Sequence, residues 1–175
     1  MRNRNVTAFT RDRRRPPGRP AGRWRLADPR TYLTGVMVLA ACLLVVLPYG
    51  ADGVNAVLGP RGTDGCRVLR VVDGDTVTLW CPGSAPYRAR LTGYDAPEVF
   101  SPGCAAELAA GMAATWALRG HLFRAQTITV TPRGKDRFDR ALVALSLDGR
   151  PLAPVMITAG HGRPYAGGPR PDWCA

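Results

Sequence analysis

The sequence predicts a mainly β domain with helices, a five-stranded OB-fold barrel plus two helices, behind one N-terminal transmembrane helix. Three observations carry that expectation. An uncharged apolar span follows an arginine-rich start. Five short β-rich runs come after it, punctuated by Gly, Pro and Asp turns. A helical stretch interrupts those runs after the third, the order of a small closed barrel of the OB type.

Arg2 to Arg30 holds ten arginines against two acids, Asp12 and Asp28, and residues 1–30 read as a basic disordered cytoplasmic tail. That tail supplies most of the formal charge of +11, because 14 basic and 11 acidic residues follow it. A sequence pI near 10.5 is therefore no argument by itself for a nucleic-acid-binding surface on the folded part. Thr31 to Ala51 carries no charge, and its centre runs Gly35-Val-Met-Val-Leu-Ala-Ala-Cys-Leu-Leu-Val-Val-Leu47. Roughly 20 apolar residues cross a bilayer core, so residues 31–51 read as a transmembrane signal-anchor. The arginines before it put the N-terminus in the cytoplasm and the following domain outside, on the cell membrane. A cleaved signal is the competing reading, with Val54-Asn55-Ala56 as the cleavage site and a secreted product. Residues 52–64, rich in Gly, Pro and Asn, read as a linker, and residues 65–175 as the folded domain.

Cysteine usage agrees with an outside location. Cys42 lies in the apolar span, and Cys66, Cys81, Cys104 and Cys174 lie beyond it. Asp73-Gly74 between apolar runs signals a two-residue hairpin loop. Val72 then faces Asp75, and the same register sets Cys66 opposite Cys81. That leaves Cys104 and Cys174 to staple a helix start to the C-terminus. Zinc is the other reading, but no Cys-x-x-Cys is present and the spacings are wide.

The strands are read at residues 66–72, 76–81, 87–91, 126–131 and 141–147 from their β-branched and partly alternating composition. Ser101-Pro102 signals a helix start. Residues 105–119 follow as an alanine-rich helix with Leu108, Met112 and Trp116 on one stripe, expected against the core. Asp148-Gly149 is another turn, and residues 152–159 a short helix.

Three segments carry the chemistry: Val71-Val-Asp-Gly-Asp-Thr-Val77, Arg90-Leu-Thr-Gly-Tyr-Asp-Ala-Pro-Glu98 and Asp136-Arg-Phe-Asp-Arg140. Together they resemble the signature segments of the thermonuclease, or staphylococcal-nuclease-like, family, and the chain is similar to a membrane-anchored bacterial member. The resemblance runs from about Arg70 to Tyr165. It implies an OB barrel that hydrolyses phosphodiester bonds of DNA and/or RNA at the 5′-oxygen with calcium (Ca2+). It implies that Asp75 and Asp95 are metal-binding carboxylates and that Ala96 adds its main-chain carbonyl. Glu98 matches the residue that positions or deprotonates water, and Arg90 and Arg140 match the phosphate clamp. Arg137 and Tyr165 are further candidates for substrate contact. Ala96 replaces a common threonine, Phe138 a common tyrosine and Asp139 a common glycine. An Asp139 carboxylate beside Arg140 is placed to pair with it.

Elementary chemistry supports the same reading. Calcium takes six to eight oxygen ligands in irregular geometry, which two aspartates, a carbonyl and waters supply. Bidentate guanidiniums suit the charge that builds on a phosphate under attack. A non-catalytic OB module binding nucleic acid or protein on the cell envelope is the alternative. No protein partner is implied, and a monomer is the default expectation.

Overall fold

The computed structural model describes residues 29–62 and 64–175, so all but the end of the expected basic tail lies outside the described residues. Among the described residues the chain divides into two units, residues 29–42 and 43–175. Helix α1 (Pro29–Leu58) is longer than the expected span. Its apolar stretch has a mean hydropathy of 2.2 over eighteen residues and is unburied. By length and composition α1 is able to cross a membrane.

Residues 52–58, expected as linker, are helical. Asp52 explains the difference. Its carboxylate is buried, accepts from Arg119 Nε at 2.9 Å and takes the Val71 N–H at 3.3 Å. The helix is held by this docking, which Gly and Asn content alone does not reveal.

The barrel is built from β1 (Arg61–Gly62), β2 (Arg67–Val71), β3 (Thr76–Trp80), β4 (Tyr87–Leu91), β6 (Thr127–Lys135), β7 (Ala141–Leu147) and β8 (Arg150–Pro151), with β5 (Gly93–Asp95) and β9 (Arg163–Tyr165) pairing separately. The order is β1-β6-β7-β4-β3-β2, with β8 on β7. β4 and β7 run parallel. The Gly62 N–H donates to the Cys66 carbonyl at 2.8 Å, which draws the two ends of the path together and nearly closes the barrel. The order is consistent with an OB-like fold. The strand count differs from the five expected: β1, β5, β8 and β9 are two or three residues each, too short to show a period. Val71, Val77, Leu79, Ala89, Leu91 and Val143 fill the interior.

The hairpin turn is wider than expected. Gly74 has no positive φ, as the two-residue turn requires. Instead the Thr76 carbonyl accepts the N–H groups of Val72 and Asp73, and Asp73 Oδ1 accepts the Asp75 N–H at 3.0 Å. Val71 pairs with Val77, one residue off the expected register, and an irregularity between Val68 and Arg70 shifts it back so that Arg67 pairs with Trp80. The two shifts cancel, and the Cys66–Cys81 disulfide forms where a simpler hairpin would place it. Asp148-Gly149 does form the tight turn, with φ of 48° and 77°.

Helix α2 (Ala105–Arg124) begins at Cys104, three residues after the expected start. Glu107 reaches back to the Gly103 N–H at 2.7 Å and the Glu98 N–H at 3.2 Å, a carboxylate bridge that fixes the entry to the helix. Its buried residues are Gly111, Ala114, Thr115, Leu118, Arg119 and Leu122. Met112 and Trp116, expected in the core, are exposed. Small residues face the barrel because the helix comes close: a Cβ at Gly111 would lie 2.8 Å from the Pro97 carbonyl oxygen. Helix α3 (Leu152–Thr158) buries Leu152 and Met156.

Candidate active site

The turn before β3 and the end of β5 carry the acids, and α2 presses on the chain beside both. A Cβ at Gly74 would lie 2.7 Å from Ala96 Cβ and 2.8 Å from Ala114 Cβ. Only glycine lets the turn that ends in Asp75 and the segment that follows Asp95 approach this closely. The Tyr94 hydroxyl, itself buried, donates to the Gly74 carbonyl at 2.7 Å. The Ala96 N–H donates to Asp75 Oδ2 at 3.3 Å. Behind Asp75, Arg119 holds the Val71 carbonyl at 2.9 Å.

Asp75 and Asp95 converge on one atom. Arg90 Nη2 lies 2.8 Å from Asp75 Oδ2 and 2.7 Å from Asp95 Oδ1. Both carboxylates are almost sealed from solvent, at 3% and 0% exposure. Burial pushes the Asp75 carboxyl up to about 7 from its ordinary 3.8, against the opposing pull of Arg90. Glu98 lies at the rim. Burial raises its carboxyl, but the Phe100 N–H, the Arg170 guanidinium and the Val99 N–H outweigh that and hold it below its usual value.

Arg170 was not anticipated. Its Nε contacts Asp95 Oδ1 at 2.9 Å, its Nη1 contacts Glu98 Oε2 at 3.2 Å, and its Nη2 donates to the Ala96 carbonyl at 2.9 Å. The Trp173 indole N–H donates to Asp95 Oδ2 at 3.2 Å. The second disulfide, Cys104–Cys174, carries this C-terminal segment to the start of α2. That pairing was the available signal. Arg170 lies four residues before Cys174 and Cys104 six after Glu98, so the bridge makes Arg170 and Glu98 neighbours along a short cross-linked path.

Arg140 is set apart from the acid cluster. Its Nε pairs with Asp136 Oδ2 at 2.7 Å. Asp139, at φ 62°, pairs with Lys135 rather than with Arg140. Its left-handed backbone is one that glycine adopts freely. Arg137 and Arg140 both lie over the Phe138 ring, at 4.7 and 5.6 Å, and Phe138 is 64% exposed. Tyr165 lies under Arg90 at 5.8 Å, its hydroxyl bonded to the Gly168 carbonyl. A cleft of about 990 Å³ joins these groups, with Arg90, Glu98 and Arg170 lining it together with Arg137, Phe138, Arg140 and Tyr165.

No family model matches the chain. It is similar to an uncharacterized endonuclease of Haemophilus influenzae. The two are 27% identical over 105 residues, which cover 60% of this chain and 54% of that protein. The chain thus spans about half the length of this relative.

The donor set can be weighed for a cation on its chemistry. Asp75, Asp95, the Ala96 carbonyl and Glu98 offer oxygen alone, which suits a hard divalent ion such as calcium and not a soft one. Those oxygens now face guanidiniums, and among the described residues no three acidic, His or Cys side chains converge as a ready ligand group. The set fits calcium in kind, with Arg170 over part of it.

Proposed function

We infer that the chain is a calcium-dependent endonuclease that hydrolyses DNA and/or RNA from an anchored position outside the cytoplasm. The observation that carries this reading is the convergence of Asp75 and Asp95 on Arg90 Nη2, where Arg90 lines a cleft that Arg137 and Arg140 also line. Likeness to a protein named an endonuclease and a helix able to cross a membrane support it.

The division of labour follows from position. Asp75, Asp95 and the Ala96 carbonyl would hold the ion. Calcium bound there would neutralise phosphate charge and polarise a non-bridging oxygen. Glu98, at the rim and ionised at neutral pH, is placed to accept a proton from an attacking water. Arg90 and Arg140 approach the cleft from two elements and suit a phosphate gripped from either side. The buried floor keeps these charges in low dielectric, where they act more strongly.

Digestion of plasmid DNA and of RNA by the full chain in detergent, with calcium and with chelator, tests the reading. The expected result is cleavage that stops in chelator and returns with calcium. Cleavage undiminished in excess chelator would sink the metal mechanism.

A further inference from the structure

We propose that Arg170 is a tethered counter-cation: its guanidinium covers the Asp95 and Ala96 carbonyl oxygens, two of the three groups inferred to hold a divalent ion, and that ion binds only by displacing it. This rests on the cation site inferred above and adds what controls access to it.

The contacts are too many and too specific for a surface ion pair. One guanidinium spans Asp95 Oδ1, Asp95 Oδ2 at 3.4 Å, the Ala96 carbonyl and Glu98 Oε2. Those are the carboxylate, carbonyl and candidate base of the inferred site. A single group thus caps two of the ion's inferred ligands and occupies the proton acceptor. Three carboxylates, Asp75, Asp95 and Glu98, meet two guanidiniums, Arg90 and Arg170. Arg90 already bridges both aspartates, so Arg170 is the charge that can leave while the pair remains bridged. Its side chain is 40% exposed and opens to the cleft, whereas Arg90 is 13% exposed.

The segment that carries it is pinned on both sides. Gly168 is held by the Tyr165 hydroxyl at 2.7 Å. Asp172 is held through its carbonyl by Arg163 Nη1 at 2.6 Å, and Cys174 by its disulfide. Arg170 lies between, so it leaves by side-chain rotation and its tether keeps its local concentration high. Short tethers give effective concentrations of about millimolar. If the uncovered form is about a tenth of the population or less, the apparent cation affinity falls about tenfold or more.

Calorimetric titration of calcium into the full chain in detergent reads this directly. Arg170→Gln is expected to bind calcium at least about tenfold more tightly than wild type. Arg170 loss also removes a charge, so a charge-neutral variant, Cys104→Ser with Cys174→Ser, is measured beside it. That variant frees the strap and is expected to tighten binding by a few-fold, and adding Arg170→Gln to it should bring no more than Arg170→Gln alone. Near-ultraviolet circular dichroism checks that each variant is folded, and either one alone suffices. Equal affinity in wild type and Arg170→Gln overturns the proposal and leaves the cation site standing. Absence of binding in every variant up to about 10 mM calcium, beyond the weakest protein sites, overturns both.

Discussion

Beneath the part of the cleft lined by Arg90, Glu98 and Arg170, here the acid wall, Asp75 and Asp95 are sealed from solvent and share a guanidinium that is itself 13% exposed. In the part lined by residues 136–140, the basic wall, Phe138 is 64% exposed, and Arg140, at 40%, pairs with a neighbour four residues away. The acid wall is assembled from distant parts of the chain: two turns, α2, the C-terminal strap and the end of α1. The basic wall is one local segment, 136–140. A wall built from many elements fixes geometry before any ligand arrives, at the expense of buried charge. A local, exposed wall adapts to what enters.

Breaking the acid wall should have the largest effect. Glu98→Gln is expected to lower the cleavage rate by about 10²–10⁴, the range for loss of a positioned general base; single-turnover digestion measures it. In the cleft's basic segment, Arg140→Ala should cost about 10²–10³, and Arg140→Lys should not restore it, because an ammonium lacks the planar fork.

The support behind the acid wall is the next target. Asp52→Ala leaves Arg119 buried without its partner, which typically costs ~3–5 kcal/mol. Chemical denaturation should show that loss, and a fragment beginning after Leu58 should show it too. The same change frees the Val71 amide and leaves Arg119, which holds the Val71 carbonyl, without its carboxylate anchor, so activity should drop further than stability alone explains.

Protonation sharpens the contrast. Asp75 titrates near 3.8 when unfolded and near 7 when folded, so without calcium the folded state holds an extra proton between those values. Stability should be fullest at the acid end and decline as pH rises through about 7. Asp75→Asn should flatten that decline in thermal melts without calcium. The basic wall offers no matching change, since Asp136 is held below its usual value by hydrogen bonds from Arg140 and the Phe138 N–H that outweigh its slight burial.

The smallest expected effect is at the aromatic ring of the basic wall. Phe138→Ala should weaken single-stranded oligonucleotide binding by about 1 kcal/mol, the lower end for one base stacked on an aromatic ring. Fluorescence anisotropy at fixed salt reads it. A drop as large as that for Arg140→Ala would mean that the ring, and not the guanidiniums beside it, organises this wall.

The sequence carried the local wall better than the assembled one. Arg137, Phe138 and Arg140 lie within four residues, and a contiguous motif announces them. The five main strands were legible from β-branched runs, and Asp75, Arg90 and Asp95 from segments whose spacing is short. Arg170 was not, because its role depends on a disulfide seventy residues long. Asp52 was hidden for the same reason: 67 residues separate it from Arg119, and a Gly- and Asn-containing stretch after an apolar run reads as a linker until its partner is known. On α2, the four-residue spacing of Leu108, Met112 and Trp116 reads as a core stripe. The actual contact uses Gly111 and Ala114, because backbone proximity at the Pro97 turn leaves no room for larger side chains. The turn at Asp73-Gly74 shows a further limit. Its chemistry signals a tight hairpin, but the pull of Asp73 on the Asp75 amide opens it, and the irregularity near Val68 conceals the change further along.

The most direct test of the whole account is the cleavage rate of wild type and Asp95→Asn as calcium is raised. The account predicts a saturating rise for wild type, half-complete at the calcium level that half-saturates binding in calorimetry, with Asp95→Asn flat and near background. An Asp95→Asn chain that cleaves at the wild-type rate with the same calcium dependence would contradict it.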